Sequence, residues 1–216
     1  MTRPDHTTSP DYSYEETFLA QGYRRVAGVD EVGRGPIAGP VTAAAVILDV
    51  DNIPDGIMDS KVVPDIRRRR LAREIRARAL AVSVVHLSAA EVDELNIRMA
   101  SCKAMLLAIL SLDPPPDTVL IDGIDIPAEL QIPAQALVKG DSKSFSVAAA
   151  SIVAKVSRDK EMTRLAFHYP EYGWGHNVGY ATKKHKAALQ KYGPTRHHRR
   201  SFKPVIEVLA TNSNAL

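Results

Sequence analysis

The sequence predicts an α/β domain built on a mixed β-sheet, and three observations carry the prediction. Apolar runs of strand character, beginning at Val26 and spanning 41–48 and 81–87, are joined by short turns and one helix, which suggests an antiparallel start to a sheet. Beyond residue 118, strand and helix alternate, the pattern of parallel strands with crossover helices. Three strands end in acids next to glycine: Asp30 with Glu31, Asp122, and Asp141.

The chain is arranged around Val26-Ala-Gly-Val-Asp30-Glu31-Val-Gly33-Arg34-Gly35-Pro36. A β-branched apolar run delivers two adjacent carboxylates, and a glycine turn with one arginine follows. Successive side chains of a regular strand point to opposite faces. Asp30 and Glu31 therefore share a site only where the strand is ending or distorted, which Gly33 and Gly35 permit. Paired carboxylates with no lysine beside them suit a hard cation such as Mg2+ or Mn2+. Two other readings compete. Asp-Glu at a strand end is commonly a solvated edge. Gly33-x-Gly35-x-x-Ala38 also fits a dinucleotide fingerprint, with Asp55 20 residues past Gly35. That motif needs a helix opening at the glycines. Here Gly39-Pro40 runs into a second strand, and Asp30 and Glu31 would repel a pyrophosphate.

Taken in order, residues 1 to about 20 are polar, with Pro4 and Pro10, and read as a loose arm. A short helix at 12–19 leads into the first strand. Residues 51–59 are loop. A helix at 64–80 has a proline suited to its first turn and carries Arg67, Arg68, Arg69, Arg70, Arg73, Arg76 and Arg78. Their spread around the helix reads as a solvated face rather than a phosphate-facing side. The third strand, 81–87, is followed by Ser88-x-x-Glu91, a capping box opening a helical region to about Leu112. Asp113-Pro-Pro-Pro116 ends it. Strands at 118–123 and 134–138 lead to Lys139-Gly140-Asp141-Ser142-Lys143. A helix from about Ser144 to His168 follows, its Ala148, Ala149, Ala150 and Ser151 suited to close packing on the sheet.

At 216 residues, 45% hydrophobic and 25% charged, the chain fits one ordinary domain with an appendage. Its one cysteine, Cys102, excludes an intrachain disulfide and a multi-cysteine zinc site, and reads as a buried core thiol. No signal peptide is visible and no apolar run reaches bilayer length, so the cytoplasm is the expected location. The net charge of +3 is modest, and its distribution matters more than its sum.

Each acid alone reads as an ordinary loop carboxylate; three glycine-bearing strand ends in one chain favour a site beyond the sheet. Four converging carboxylates repel unless cations bind between them. Two divalent ions about 4 Å apart would form an in-line clamp for phosphoryl transfer. From 172 to 206 there is no acid, but eight lysines and arginines, four histidines, and Tyr172, Trp174, Tyr180, Tyr192 and Phe202. Basic groups neutralise phosphates and aromatic rings stack on bases and sugars, so this segment reads as a substrate clamp. The spacing of His176, His185, His197 and His198 matches no usual zinc module. A dinucleotide-dependent oxidoreductase and a non-catalytic nucleic-acid-binding module remain as rival classes, and the second gives no reason for four converging acids.

From about residue 22 to 205 the chain resembles bacterial ribonuclease HII. The resemblance rests on Val29-Asp-Glu-Val-Gly-Arg-Gly-Pro36, Ile121-Asp-Gly123, Val138-Lys-Gly-Asp-Ser-Lys143, Ser151-Ile-Val-Ala-Lys-Val-Ser-Arg-Asp159, Gly179-Tyr-Ala-Thr182 with His185, and His198-Arg-Arg-Ser-Phe202. It implies an RNase H-like fold, a five-stranded mixed sheet flanked by helices with a small helical C-terminal extension. The implied division is an arm at 1–21, a catalytic domain at 22–170 and a basic extension at 171–216. It also implies a metal-dependent endonuclease acting as a monomer on RNA–DNA hybrids and on duplex DNA containing ribonucleotides, with two Mn2+ or Mg2+ ions and a role in ribonucleotide excision repair. Carried over by motif, Asp30, Glu31, Asp122 and Asp141 are the catalytic, metal-binding acids. Gly33-Arg34-Gly35 is the loop that reads the ribose 2′-hydroxyl, and Tyr180 is the ring on the sugar at the junction. Ser60, Lys61, Lys143, Ser146 and His185 are further substrate contacts by the same resemblance. Two points depart from it or weaken it. Ser60-Lys61 is followed by Val62 where the family has a second lysine. The variable span after Asp122 leaves the assignment of Asp141 resting on Lys139-Gly140.

Overall fold

Every residue of the strand at Val41–Ile47 is buried, so the sheet that contains it must be covered on both faces. The structure is a computed structural model that describes residues 9–213. Residues 1–8 of the expected arm and 214–216 at the C-terminus lie outside the described residues. The elements in chain order are α1 (Ser13–Ala20), β1 (Val26–Val32), β2 (Val41–Ile47), α2 (Asp65–Arg78), β3 (Ala81–Leu87), α3 (Ala89–Leu95), α4 (Ile97–Leu110), β4 (Thr118–Asp122), β5 (Ala134–Leu137), α5 (Phe145–His168), α6 (Trp174–Asn177), α7 (Lys183–Tyr192) and α8 (Lys203–Ser213).

The strands lie in the order β3-β2-β1-β4-β5. β1, β2 and β3 are antiparallel neighbours, while β4 and β5 run parallel to β1. This is the five-stranded mixed sheet that the resemblance implies. Strand alternation sorts the core. Ala27, Val29, Ala43 and Ala45 face α3 and α4, with Val92, Ala104, Met105 and Ala108. Ala44 and Val46 face α2 and α5, with Leu71, Ile75, Ala149 and Ile152. Gly28 brings α5 onto β1, because a Cβ there would lie 2.0 Å from the Ser146 carbonyl carbon. Asp30 lies two residues along on the same face, so the start of α5 approaches that acid.

Residues 33–40 form no helix but turn into β2, which removes the geometry a dinucleotide fingerprint requires. The helical region expected from Ser88 to about Leu112 is divided in two at Asn96, whose φ of 64° ends α3. The Asn96 Oδ1 then accepts from the N–H groups of Arg98 (3.0 Å) and Met99 (3.2 Å), capping α4. Cys102 on α4 is half-buried against the core rather than fully enclosed. Among the described residues no helix is long and apolar enough to cross a membrane.

The C-terminal aromatics were expected as stacking surfaces, but Tyr172 and Trp174 are core. They pack with Ala38, Met162, Leu165 and Ala188, tying the extension to α5 and to the loop before β2. Tyr180 and Tyr192 remain exposed. Two buried histidines complete this unit, and their bonds define their tautomers. His185 Nδ1 lies 2.8 Å from the Tyr180 carbonyl and must donate, so its Nε2 accepts from Trp174 Nε1–H at 3.0 Å. His198 Nδ1 accepts from the Thr195 N–H at 3.0 Å, so its Nε2–H donates to His185 Nε2 at 3.1 Å. Both rings are satisfied only when neutral. Burial pushes the His198 pKa down to about 3, and burial also lowers that of His185.

A histidine in the unfolded chain takes up a proton near pH 6.5, whereas the folded chain resists it to about pH 3. Unfolded molecules therefore bind more protons throughout that window, and stability falls as pH drops from 6.5 towards 3. Tm measured from pH 4 to 8 should decline on the acid side, and His198→Asn should flatten that decline. Equal slopes for the two proteins would show that the pair carries no linkage.

Candidate active site

β1 and β4 are parallel, with Val29 opposite Ile121. One residue further on, the two strands present Asp30 and Asp122 side by side on one face. Leu137 of β5 lies opposite Asp122. Lys139, with a left-handed φ of 56°, then turns the chain into a short 3-10 turn, Gly140–Ser142. The Gly140 N–H donates to Asp122 Oδ1 at 2.7 Å, which brings the buried Asp141 beside Asp122. Glu31 lies on the opposite face of β1. Its Oε1 accepts from Arg34 Nη1 at 3.1 Å, and its buried Oε2 has no hydrogen-bond partner. β1 is regular through Val32 against β2, but its pairing with β4 stops at Val29. The acids thus meet along a free strand edge, without the distortion their adjacency suggests.

Burial raises the Asp30 pKa well above the carboxylate range, and the charges of Glu31, Asp122 and Asp141 raise it further. Burial also raises Glu31, against the pull of Arg34. Asp122 is raised by burial, with the Gly140 N–H opposing. Lys61 Nζ bonds Asp141 Oδ2 at 3.0 Å. Burial disfavours the lysine charge, but the Asp141 bond and the acids around it keep its pKa above the ordinary value. Its position is set from behind, because the Ser60 carbonyl accepts from Arg68 Nη1 at 2.8 Å. Arg68 is thus 12% exposed, where a solvated face was expected; Arg69 and Arg70, at 66% and 74%, do fit that expectation.

Four carboxylates face two cations here, and one buried carboxylate oxygen lacks any partner. That donor chemistry fits an oxygen-seeking divalent cation. Among the described residues no three acid, histidine or cysteine groups already stand as a ligand set.

The glycine turn is held from beneath by two arginines that the sequence motifs contain but whose role they do not reveal. Arg158 on α5 donates to the carbonyls of Pro40 (2.9 Å), Val178 (3.0 Å) and Ala38 (3.3 Å). Arg199 donates to those of Gly33 (2.6 Å), Arg34 (2.9 Å) and Gly39 (3.0 and 3.1 Å). Both are buried, at 1% and 0% exposure. Burial lowers Arg158 to about 10 and Arg199 to about 9, so both stay charged at neutral pH. Gly33, with φ +94°, has no room for a side chain, since a Cβ would lie 2.2 Å from Arg158 Nε. Arg158 shares its stripe on α5 with Ala154 and Met162 at four-residue spacing, which is the one sequence sign of its burial. Nothing in the basic run around it separates Arg199 from the exposed Arg200.

A Cβ on Gly35 would lie 3.4 Å from Tyr180 Cε1, so the half-exposed tyrosine ring stands directly over the turn. His185 is wholly buried and reaches this region only through the Tyr180 carbonyl. Ser146 is also wholly buried, its Oγ without a partner, in the first turn of α5. Lys143 is half-buried just before that helix, and Ser60 is buried behind Lys61. The fold therefore gathers the four acids, Lys61, Gly33-Arg34-Gly35 and Tyr180, and keeps Ser60, Ser146 and His185 beneath the surface.

A carboxyl whose pKa is raised on folding loses stability as pH climbs from about 4 through the raised value. Without divalent metal, Asp30→Asn should raise Tm at pH 7, by about 2–4 °C per kcal/mol of repulsion relieved. An unchanged or lower Tm in EDTA would mean that the acids do not strain one another.

The Ribonuclease HII family profile matches residues 27–205. A ribonuclease HII of Ruegeria sp. (strain TM1040) is 56% identical over 200 residues, covering 93% of this chain and 87% of that protein. One from Ruegeria pomeroyi is 55% identical, covering 94% of this chain and 86% of that protein. Among solved structures, ribonuclease H2 from Pyrococcus horikoshii OT3 superposes with a TM-score of 0.74 at 27% identity, covering 87% of this chain and 98% of that one. Strand-end acids, a glycine turn locked from beneath and relatives of this likeness lead to one conclusion: the chain belongs to the ribonuclease HII family and is a type HII ribonuclease H nuclease.

Proposed function

We propose that the protein hydrolyses the RNA strand of RNA–DNA hybrids and cuts on the 5′ side of single ribonucleotides embedded in duplex DNA, leaving 3′-hydroxyl and 5′-phosphate ends. The observation that carries this reading is the meeting of Asp30, Glu31, Asp122 and Asp141 at one sheet end, beside a turn on which Tyr180 stands. The four acids would hold two divalent ions, Mn2+ or Mg2+. Bound there, such ions activate water and neutralise the leaving oxygen.

The chain's own groups supply position and selectivity. Lys61, bonded to Asp141, is a cation beside the acids, and Lys143 lies two residues beyond Asp141 in the chain; both are suited to the strand's phosphates. The 2′-hydroxyl is what separates RNA from DNA within a mixed strand. Backbone groups of a rigid turn detect it better than long side chains, which move, and a site built to bond a hydroxyl rejects its absence strongly. Tyr180 offers a flat surface to the sugar of the next deoxynucleotide. The seven exposed cations of the extension, Lys183, Lys184, Lys186, Lys191, Arg196, Arg200 and Lys203, suit the flanking duplex backbone. In this reading 22–170 is the catalytic domain and 171–216 its extension, and the protein works as a cytoplasmic monomer in ribonucleotide excision repair.

The test is a gel comparing a duplex carrying one ribonucleotide with a continuous hybrid, with and without metal. Asp30→Asn and Asp122→Asn should lower both activities by on the order of 100-fold or more, as does loss of a group that stabilises developing charge. Tyr180→Ala should lose about 10- to 100-fold on the single ribonucleotide, one aromatic stack being worth about 1–3 kcal/mol, and less on the hybrid. Gly35→Val should impair both, because its side chain meets the Tyr180 ring. Equal losses on both substrates for Tyr180→Ala would leave that ring as plain packing.

A further inference from the structure

α1 lies before the stretch that matches the family profile, yet its Glu15 bonds the start of α5, just beyond the turn that carries Asp141. The first turn of a helix leaves N–H groups without intrahelical partners. In α5 each is accounted for, and the segment before β1 satisfies two of them. The Phe145 N–H donates to the Asp11 carbonyl at 2.9 Å, and the Ser146 N–H donates to Glu15 Oε1 at 2.8 Å. The Val147 N–H donates to the Ser144 hydroxyl at 3.2 Å, and that hydroxyl donates in turn to the same Glu15 oxygen at 2.6 Å. The Ala148 N–H donates to the Ser144 carbonyl. The Asp11 N–H also donates to the Lys143 carbonyl at 3.2 Å.

Glu15 is completely buried; its Oε1 accepts from the Ser144 hydroxyl and the Ser146 amide, while its buried Oε2 has no hydrogen-bond partner. The positive end of α5 provides its electrostatic compensation. A buried carboxylate bonded in this way fixes the start of α5 firmly. Ser144 is three residues from Asp141, and the N–H groups of Lys143 and Ser144 both donate to the Gly140 carbonyl at 2.9 Å. Gly140 in turn bonds Asp122. A continuous chain of short bonds therefore runs from Glu15 through Ser144 and Gly140 to Asp122, with Asp141 inside it.

We propose that Glu15 is a positioning residue for Asp141, and that α1 is part of the catalytic apparatus rather than a loose arm. The proposal rests on the reading of Asp141 as an acid of the metal site. It is tested on the full chain with Glu15→Ala, Glu15→Gln, Asp141→Asn and Met105→Ala. The last empties a core position on the far face of the sheet and reports destabilisation alone. Two quantities are read: the Mn2+ concentration giving half the metal-induced rise in Tm, and kcat and KM for a hybrid at saturating Mn2+. Glu15→Ala should raise the Mn2+ midpoint about tenfold, the usual effect of losing a group that orients a ligand. It should also lower kcat while KM stays within about twofold. Glu15→Gln keeps an accepting oxygen and should recover most of both. Met105→Ala should lower Tm and leave the midpoint unchanged. A Glu15→Ala protein that behaves as Met105→Ala does, less stable but with wild-type midpoint and kcat, would overturn the proposal and leave Glu15 as a helix cap. Wild-type midpoint and cleavage for Asp141→Asn would instead overturn the reading of Asp141, and the proposal with it.

Discussion

Beneath the turn that follows β1 lie two guanidiniums whose hydrogen-bond acceptors are backbone carbonyls, and the site takes its shape from them. Taking a charge out of water costs several kcal/mol even after relaxation. A hydrogen bond to a charged group returns about 1.5–3 kcal/mol. Burial of Arg158 and Arg199 is therefore tolerable only while nearly all of their bonds are made. Those bonds require the carbonyls of Gly33, Arg34, Ala38, Gly39 and Pro40 to converge, which dictates the path of the loop. One arginine comes from α5 and the other from the C-terminal extension. The turn is consequently rigid only when three separate parts of the chain are packed together.

The acid end obeys an opposing constraint. There, burial and like charge both work against the folded chain, and Arg34 and Lys61 relieve only part of the strain. Positive charge is locked in place by neutral carbonyls and cannot leave. Negative charge is left only partly compensated, by Arg34 and Lys61. The same sheet positions both, because β1 delivers Asp30 and Glu31 and then the turn without interruption.

Much of the fold was legible from local signals. The bounds of β3, the capping box at Ser88 and the start of α5 follow from periodicity and capping chemistry, which act within a few residues. The break at Asn96 was not legible, because an asparagine inside an apolar helical pattern looks like an ordinary polar position until its backbone is seen to be left-handed. In the site, Asp30, Glu31 and Asp122 stood out through their glycines and strand-end placement. The burial of Tyr172, Trp174 and His185 did not, since a basic, aromatic-rich segment looks the same whether its rings face solvent or a core. Arg68, Arg158 and Arg199 sit among other arginines, and only tertiary contacts separate those that hold carbonyls from those that meet water.

The central claim, that buried guanidiniums hold the turn, is tested most directly by hydrogen–deuterium exchange of the segment 33–40 in wild type and Arg199→Lys at pH 7. Lysine keeps the charge but lacks the planar fork that spans the Gly33, Arg34 and Gly39 carbonyls. The Ile37 and Gly39 amides, bonded to the carbonyls of Gly179 and His197, are the reporters. The account predicts that their protection falls sharply while that of β1 and β2 is kept. Unchanged protection across 33–40 in a folded Arg199→Lys protein would contradict it.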